Sequence, residues 1–92
     1  MFIVINRCYG GFSLSKEACE MLNTKSKFSF DNDRTNKKLI NCVKILGEKA
    51  SGSHSKLKIE EIPDNATDWE INDYDGFESI IYVIEGEIHH LY

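Results

Sequence analysis

Runs and alternations of apolar residues along the chain predict several strands and two helices. Residues 2–5 are continuously apolar and mostly β-branched, which is typical of a strand buried on both faces. Glu85-Gly86 is short enough to form a hairpin turn, so the apolar residues on its two sides predict paired strands. The strand patterns cover residues 2–5, 57–60, 69–71, 77–84 and 87–91.

The helices are predicted in the first half of the chain. Ser13 or Ser15 can cap a short helix over about residues 15–23. A second helix is indicated by apolar positions that recur on one helical face, and we expect Thr35 or Asn36 to cap it and Gly52 to end it. That face consists of Leu39, Cys42, Val43, Leu46 and Ala50.

The order of these elements predicts the fold class. Strands and helices do not alternate strictly, and Phe28 and Phe30 can add a short edge strand. We therefore expect one α+β domain over residues 1–92, with a mixed four- to five-stranded sheet and two helices on one face. No apolar run approaches the roughly 20 residues that a membrane helix needs, and the first residues lack a basic leader, so we expect neither a membrane span nor a signal peptide.

The cysteines bear on metal binding and compartment. Cys8, Cys19 and Cys42 are odd in number, widely spaced and without a CxxC pair, which argues against a disulfide framework or a zinc site. Three free thiols are typical of a reducing compartment, so we expect a cytoplasmic protein. The stretch that begins at Asp31 lacks the Gly and Glu of a calcium loop, and we expect no metal and no cofactor.

Charge is divided unevenly along the chain, although the net charge is only −4. All eleven Lys and Arg residues precede Ile59 and share that part with five acids, so it carries +6. The remaining ten acids follow with no Lys or Arg, giving −10. The two parts can neutralise each other across the fold, or the acids can form an exposed face that attracts a basic partner.

The acidic stretch holds the candidate partner-binding residues. Its carboxylates recur every two to four residues, and their spacing singles out no pair for acid–base catalysis. A solvated acidic face, a surface for a basic protein and imitation of a phosphate backbone all remain open. The candidate residues are Glu60, Glu61, Asp64, Asp68, Trp69, Glu70, Asp73, Tyr74, Asp75 and Glu78.

A second candidate site lies where the first strand ends. It places an amide, a cation, a thiol and a phenol next to two glycines and before a helix, an arrangement that suits an anion or a phosphate. The pattern is neither a P-loop nor GxGxxG, and a tight structural turn with a paired Arg explains it equally well. The residues are Asn6, Arg7, Cys8, Tyr9, Gly10 and Gly11.

The segment Ile5–Ser15, which reads INRCYGGFSLS, resembles the opening of a family of small uncharacterised proteins of bacteriophages and mobile elements. Looser similarity continues at Asp33–Asn36, Leu46–Ala50, Leu57–Ile59, Ile62-Pro63, Trp69–Ile71 and Tyr74–Glu78. Family members end in a cluster of Glu, His, Arg and Trp, whereas residues 85–92 here contain no Arg or Trp. The resemblance implies a viral protein that acts on its host, without assigning an activity.

These observations favour a non-enzymatic viral or prophage protein that inhibits a host protein through its acidic surface. The host protein would have a basic surface, as a nucleic-acid-binding effector does, and the inhibitor could be an anti-CRISPR or another anti-defence protein. The alternative is a small-ligand or nucleotide-binding protein, with or without enzymatic activity, that uses the Asn6–Gly11 turn. A modulator of host polymerase or replication is a third hypothesis, and direct nucleic-acid binding is disfavoured by the net charge.

Overall fold

The structure, a computed structural model, describes residues 1–92 and confirms an α+β protein with five strands and two α-helices. None of its helices has the length and apolar character that a membrane crossing requires. In chain order, the elements are β1 (Phe2–Asn6), α1 (Lys16–Met21), α2 (Lys37–Leu46), a 3-10 helix (Gly47–Ala50), β2 (Leu57–Glu61), β3 (Asp68–Tyr74), β4 (Phe77–Ile84) and β5 (Glu87–Leu91).

The helix termini follow from local capping chemistry. Ser15 Oγ accepts a hydrogen bond from the Ala18 N–H at 3.0 Å, and Asn36 Oδ1 accepts one from the Lys38 N–H at 2.8 Å. Each cap satisfies a backbone donor that has no partner within its helix. Gly47, with φ of +58°, ends α2 earlier than the expected end near Gly52, and the chain continues as the 3-10 helix.

The strands form two antiparallel sheets, so the single mixed sheet expected from the sequence is wrong. β1 pairs only with β2, and β3, β4 and β5 form a three-stranded meander. The second edge of β1 is taken by other groups: the Val4 N–H donates to the Arg34 carbonyl at 2.9 Å, and the Asn6 N–H donates to Glu78 Oε1 at 2.7 Å. The Val4 and Asn6 donors are therefore not free to pair with a third strand.

The expected edge strand around Phe28 and Phe30 is also wrong. This stretch is a series of turns, in which the Ser29 N–H donates to the Ser26 carbonyl and the Asp31 N–H donates to the Phe28 carbonyl. Local turn bonds therefore replace the ladder that alternating aromatic residues would have formed.

β1 lies between two hydrophobic cores, as its continuous apolar sequence predicts. Val4 packs into the core formed with the helices, while Ile3 and Ile5 pack into the core formed with Ile80 of the three-stranded sheet. Successive side chains of a strand point to opposite faces, so one strand serves both cores. The helices therefore cover the β1–β2 pair on one side and the three-stranded sheet covers it on the other.

Candidate functional site

The Asn6–Gly11 turn is held by contacts within the protein, beginning with Asn6. Its side chain is 0% exposed. Nδ2 donates to the carbonyls of Cys8 and Gly76, each at 2.7 Å, and Oδ1 accepts from the Lys56 N–H at 2.7 Å. A ligand would have to displace these hydrogen bonds, so Asn6 ties β1 to two neighbouring loops rather than facing a binding site.

Arg7 is also engaged within the fold. Its Nη1 donates to the Glu78 carbonyl at 2.9 Å, and Nη2 lies 3.8 Å from a carboxylate oxygen of Glu60. The guanidinium carbon is 5.8 Å from the centre of the Phe77 ring. The interpretation as a tight turn with a paired Arg is the one that this geometry favours.

The two glycines serve close packing of the backbone. A Cβ added at Gly10 would collide with the carbonyl oxygen of His54, and one added at Gly76 would lie 2.6 Å from the Gly10 N. The Gly10-Gly11 backbone is therefore pressed against the β3–β4 turn and the His54 loop. This packing explains Gly10, and the φ of +92° explains Gly11, both without a phosphate.

Cys8 and Tyr9 are the more accessible members of the turn. Cys8 is half-buried and lines a shallow cleft of about 550 Å³, together with Lys56, Leu57 and Ile59, and no histidine lines it. Tyr9 is exposed, with its ring 5.3 Å from that of Phe77. The Cys8 thiol donates to the Tyr9 carbonyl at 3.8 Å, and no hydrogen bond joins its sulfur to a base or to the lysines of the cleft.

A buried ion pair joins the turn before α2 to the three-stranded sheet, and it involves a residue that the sequence analysis did not single out. Arg34 Nη1 donates to Glu78 Oε1 at 2.6 Å and Nη2 donates to Glu78 Oε2 at 2.8 Å. Nε and Nη2 also donate to Asp31, and the guanidinium carbon lies 4.0 Å from the centre of the Phe12 ring. Burial alone would lower the pKa of Arg34, but the hydrogen bonds and charges of Glu78 and Asp31 raise it above its ordinary value.

This ion pair corrects part of the predicted partner-binding set. Glu78 is 3% exposed and fully committed to Arg34 and Asn6, so it cannot contact a partner. Trp69 points to the inner face of the three-stranded sheet and packs against the Ile80 core. The sequence analysis placed Glu78 and Trp69 on the acidic surface because acidic residues are frequent in β3 and β4. Alternate residues of a strand point to opposite faces, and these two point inward.

The remaining acidic residues are spread over three places. Glu60 lies beside Arg7, and Asp64 accepts a hydrogen bond from the N-terminal ammonium group at 2.6 Å, which lowers the pKa of Asp64. Glu61 is exposed at the end of β2. The other candidates belong to the three-stranded sheet or its turn and are exposed: Asp68, Glu70, Asp73, Tyr74 and Asp75.

Cross-strand register defines one side of this sheet, which we call the outer face. Asp68 lies opposite Val83, which lies opposite Ile88; Glu70 lies opposite Ile81, which lies opposite His90. Residues directly opposite each other share a face, so these six form two rows across the sheet. The inner face carries the residues that pack on Ile80.

The centre of the outer face lies outside both hydrophobic cores. Ile81, Val83 and Ile88 pack into neither core, and Ile88 is 67% exposed. Tyr74 and Tyr92 are exposed as well, and the ring of Tyr92 stacks on His90 with centroids 5.3 Å apart. The sequence analysis did not single out these apolar residues. The unbroken apolar run Ile80–Ile84 is nevertheless typical of a strand that is buried on both faces.

Charge is sorted between the two halves of the folded molecule. The segment that forms β3, β4 and β5 contains no Lys or Arg, while all nine lysines lie on the helices, the loops and β2 and are exposed. No lysine forms an ion pair; among the side-chain cations, only Arg7 and Arg34 do. Ion pairs between the two parts are therefore formed by these arginines and by the N-terminal ammonium group, which pairs with Asp64.

Comparison of the chain with protein-family models, curated proteins and solved structures gives no match. The resemblance to bacteriophage proteins stays a prediction. No group of three or more His, Cys, Asp or Glu side chains is arranged to hold a metal ion.

Proposed function

We propose that this chain is a non-enzymatic protein-binding module whose outer face receives a partner with a basic surface. The observation that carries the proposal concerns β4. This strand has apolar residues on both faces, and only those of the inner face pack into a hydrophobic core. An antiparallel sheet that faces water on one side alternates apolar and polar residues along its strands. Ile81 and Val83 break that alternation on the outer face, where both are half-buried and belong to neither core.

The two kinds of residue on the outer face have separate roles in binding. Ile81, Val83 and Ile88 would supply the apolar centre whose burial stabilises a complex. Asp68 and Glu70, at one end of the same rows, would attract cations and select against acidic partners. The sheet has no cation of its own to weaken this field.

The alternative, a ligand site in the Asn6–Gly11 turn, is less well supported. Asn6 and Arg7 form hydrogen bonds within the protein, and Gly10 is packed against the backbone of His54. Binding of a ligand there would carry the free-energy cost of breaking those contacts.

The bacteriophage resemblance extends the proposal to the identity of the partner. On this basis, the partner is a host protein that the chain inhibits, and a nucleic-acid-binding effector of a defence system such as CRISPR has the required basic surface. The extension rests on sequence resemblance, whereas the binding face rests on geometry.

Charge reversal on the outer face tests the proposal. An affinity-tagged Asp68→Lys/Glu70→Lys variant is compared with the wild type for capture of proteins from bacterial lysate, identified by mass spectrometry. A Glu17→Lys/Glu20→Lys variant makes the same change in net charge on α1, away from the sheet, and is the matched control. We expect a protein that the wild type and the control capture and the outer-face variant does not.

Two results would contradict the proposal. One is a specific partner that all three proteins capture equally, which would place the binding surface elsewhere. The other is an association rate for the captured partner that does not fall with added salt, because steering by exposed charges is screened at high ionic strength.

A further inference from the structure

The backbone of β5 leaves hydrogen-bonding groups free at the edge of the sheet. Ile84 and Glu87 flank the two-residue turn, in which Glu85 and Gly86 have φ of +50° and +79°. In such a turn the flanking residues form a hydrogen-bonded pair, and alternate residues of the strand then point their N–H and C=O groups away from the partner strand. The outward residues of β5 are therefore Ile88 and His90.

Other contacts agree with this assignment. The Thr67 N–H donates to the Val83 carbonyl at 2.9 Å, so the backbone of Val83 points toward β3. Its neighbours along β4 then point toward β5, as the turn geometry requires. No hydrogen bond outside the β4–β5 ladder involves the backbone of residues 87–91. The N–H and C=O groups of Ile88 and His90 therefore have no partner within the protein.

β5 also lacks the features that usually protect an edge strand. Natural edges carry charged side chains, prolines or bulges that prevent another strand from pairing. β3 carries Asp68, Glu70 and Asp73 along its edge, and β2 carries Lys58 and is followed by Pro63. β5 pairs in regular register over five residues without a proline or a bulge, and its only acid is Glu87.

We propose that β5 binds an extended segment of the partner protein as an added strand of the three-stranded sheet. Backbone bonds to Ile88 and His90 would give affinity, and alternate side chains of the segment would give specificity. Side chains on one side of the segment would extend the apolar surface of Val83 and Ile88, and those on the other side would lie beside Glu87, His89 and Leu91. The matching segment alternates apolar and cationic residues.

Charge argues that the occupant is a foreign segment and not a second copy of this chain. Pairing two β5 edges would place side by side two sheets that each expose six acids and contain no Lys or Arg. Like charges at that separation repel, whereas a cationic segment is attracted. This inference rests on the proposed function and specifies how its binding surface is used.

The probe is a capped peptide of three Lys-Val repeats, titrated into the ¹⁵N-labelled chain and followed by amide chemical shifts. A peptide of three Glu-Val repeats is the matched control. We expect saturable shifts, largest at Ile88 and His90, with the Lys-Val peptide only. Wild-type spectra at increasing protein concentration, without peptide, report on self-association.

Proline separates backbone pairing from side-chain contact. His90→Pro removes an outward N–H that the fold does not use, so proline is compatible with this edge position. His90→Ala changes the side chain alone. We expect about fivefold weaker peptide binding for His90→Pro and about twofold or less for His90→Ala, since one hydrogen bond contributes about 1 kcal/mol.

The outcomes are distinguishable. A Lys-Val peptide N-methylated at alternate residues repeats the test without altering the protein. Undiminished binding of this peptide would overturn strand addition.

Absence of saturable binding of the unmodified peptide would also overturn strand addition. Shifts confined to the Asp68 and Glu70 side of the sheet would overturn it as well, but the proposed binding face would stand. Concentration-dependent shifts of β5 without peptide would assign the edge to a second copy. Failure of the proposed function itself is detected by the capture experiment, which uses no peptide.

Discussion

Replacing Arg34 with methionine removes the cation from the buried pair that joins the helical half to the three-stranded sheet. Glu78 would keep its carboxylate at 3% exposure, with the Asn6 N–H as its remaining hydrogen-bond donor. The Val4 carbonyl would also lose its contact with Arg34 Nη1, at 3.3 Å. Methionine fills part of the space over the Phe12 ring, so the main loss is electrostatic.

The expected magnitude follows from burial. Removing one partner of a buried, hydrogen-bonded ion pair typically costs about 3–5 kcal/mol, because the other charge is left without compensation. A domain of this size has a total unfolding free energy of about 5–15 kcal/mol. Arg34→Met should therefore lose a large part of the stability, and unfold at a much lower urea concentration.

Urea unfolding followed by circular dichroism measures this loss. Lys38→Met is the control, because it removes an exposed cation from α2 that has no ion pair, and we expect a change within about 0.5 kcal/mol. Arg34→Met/Glu78→Gln should recover part of the stability, since glutamine removes the buried charge and its oxygen can still accept from the Asn6 N–H.

Two results would refute this reasoning. A loss of stability for Arg34→Met no larger than that for Lys38→Met would mean that the pair does not stabilise the contact between the helical half and the three-stranded sheet. A double variant less stable than Arg34→Met by the full cost of Glu78→Gln alone would mean that the two residues act independently.

Three further changes probe the packing. Asn6→Ala should cost about 2–4 kcal/mol in urea unfolding, because it leaves the Lys56 N–H and the Cys8 and Gly76 carbonyls without their partner, and a loss below about 1 kcal/mol would contradict this role. Gly10→Ala should lower the thermal midpoint clearly more than Gly86→Ala, because only the Gly10 methyl meets backbone, that of His54. Burial is the main cause that raises the pKa of Cys42, and the charge of Cys19 is the second. The native thiol therefore keeps its proton up to a higher pH than the unfolded one. Stability should therefore fall as the pH rises above about 9, and less steeply in Cys42→Ala; equal slopes would contradict this.

The sequence predicted the parts of the fold that depend on local signals. The β4–β5 hairpin follows from a two-residue turn between apolar runs, and the helix starts follow from Ser15 and Asn36. The pairing of β1 could not be predicted, because its free edge is filled by Arg34 and Glu78 from distant parts of the chain. A propensity scan does not reveal such non-local hydrogen bonds.

The candidate site was predictable only in part. The sorting of charge was visible from the order of Lys, Arg and acidic residues, and the three-stranded sheet accordingly contains no Lys or Arg. Which acids are exposed was not visible, since Glu78 and Asp68 belong to the same acidic stretch but lie on opposite faces of the sheet. Only the cross-strand register brings Asp68 and Glu70 into line with Val83 and Ile81.

Hydrogen–deuterium exchange of the chain, alone and bound to its captured partner, tests the central claim most directly. We predict slower exchange on binding in residues 77–92, with little change in α2. Protection confined to the helices, or to the Asn6–Gly11 turn, would contradict the assignment of the outer face as the binding surface.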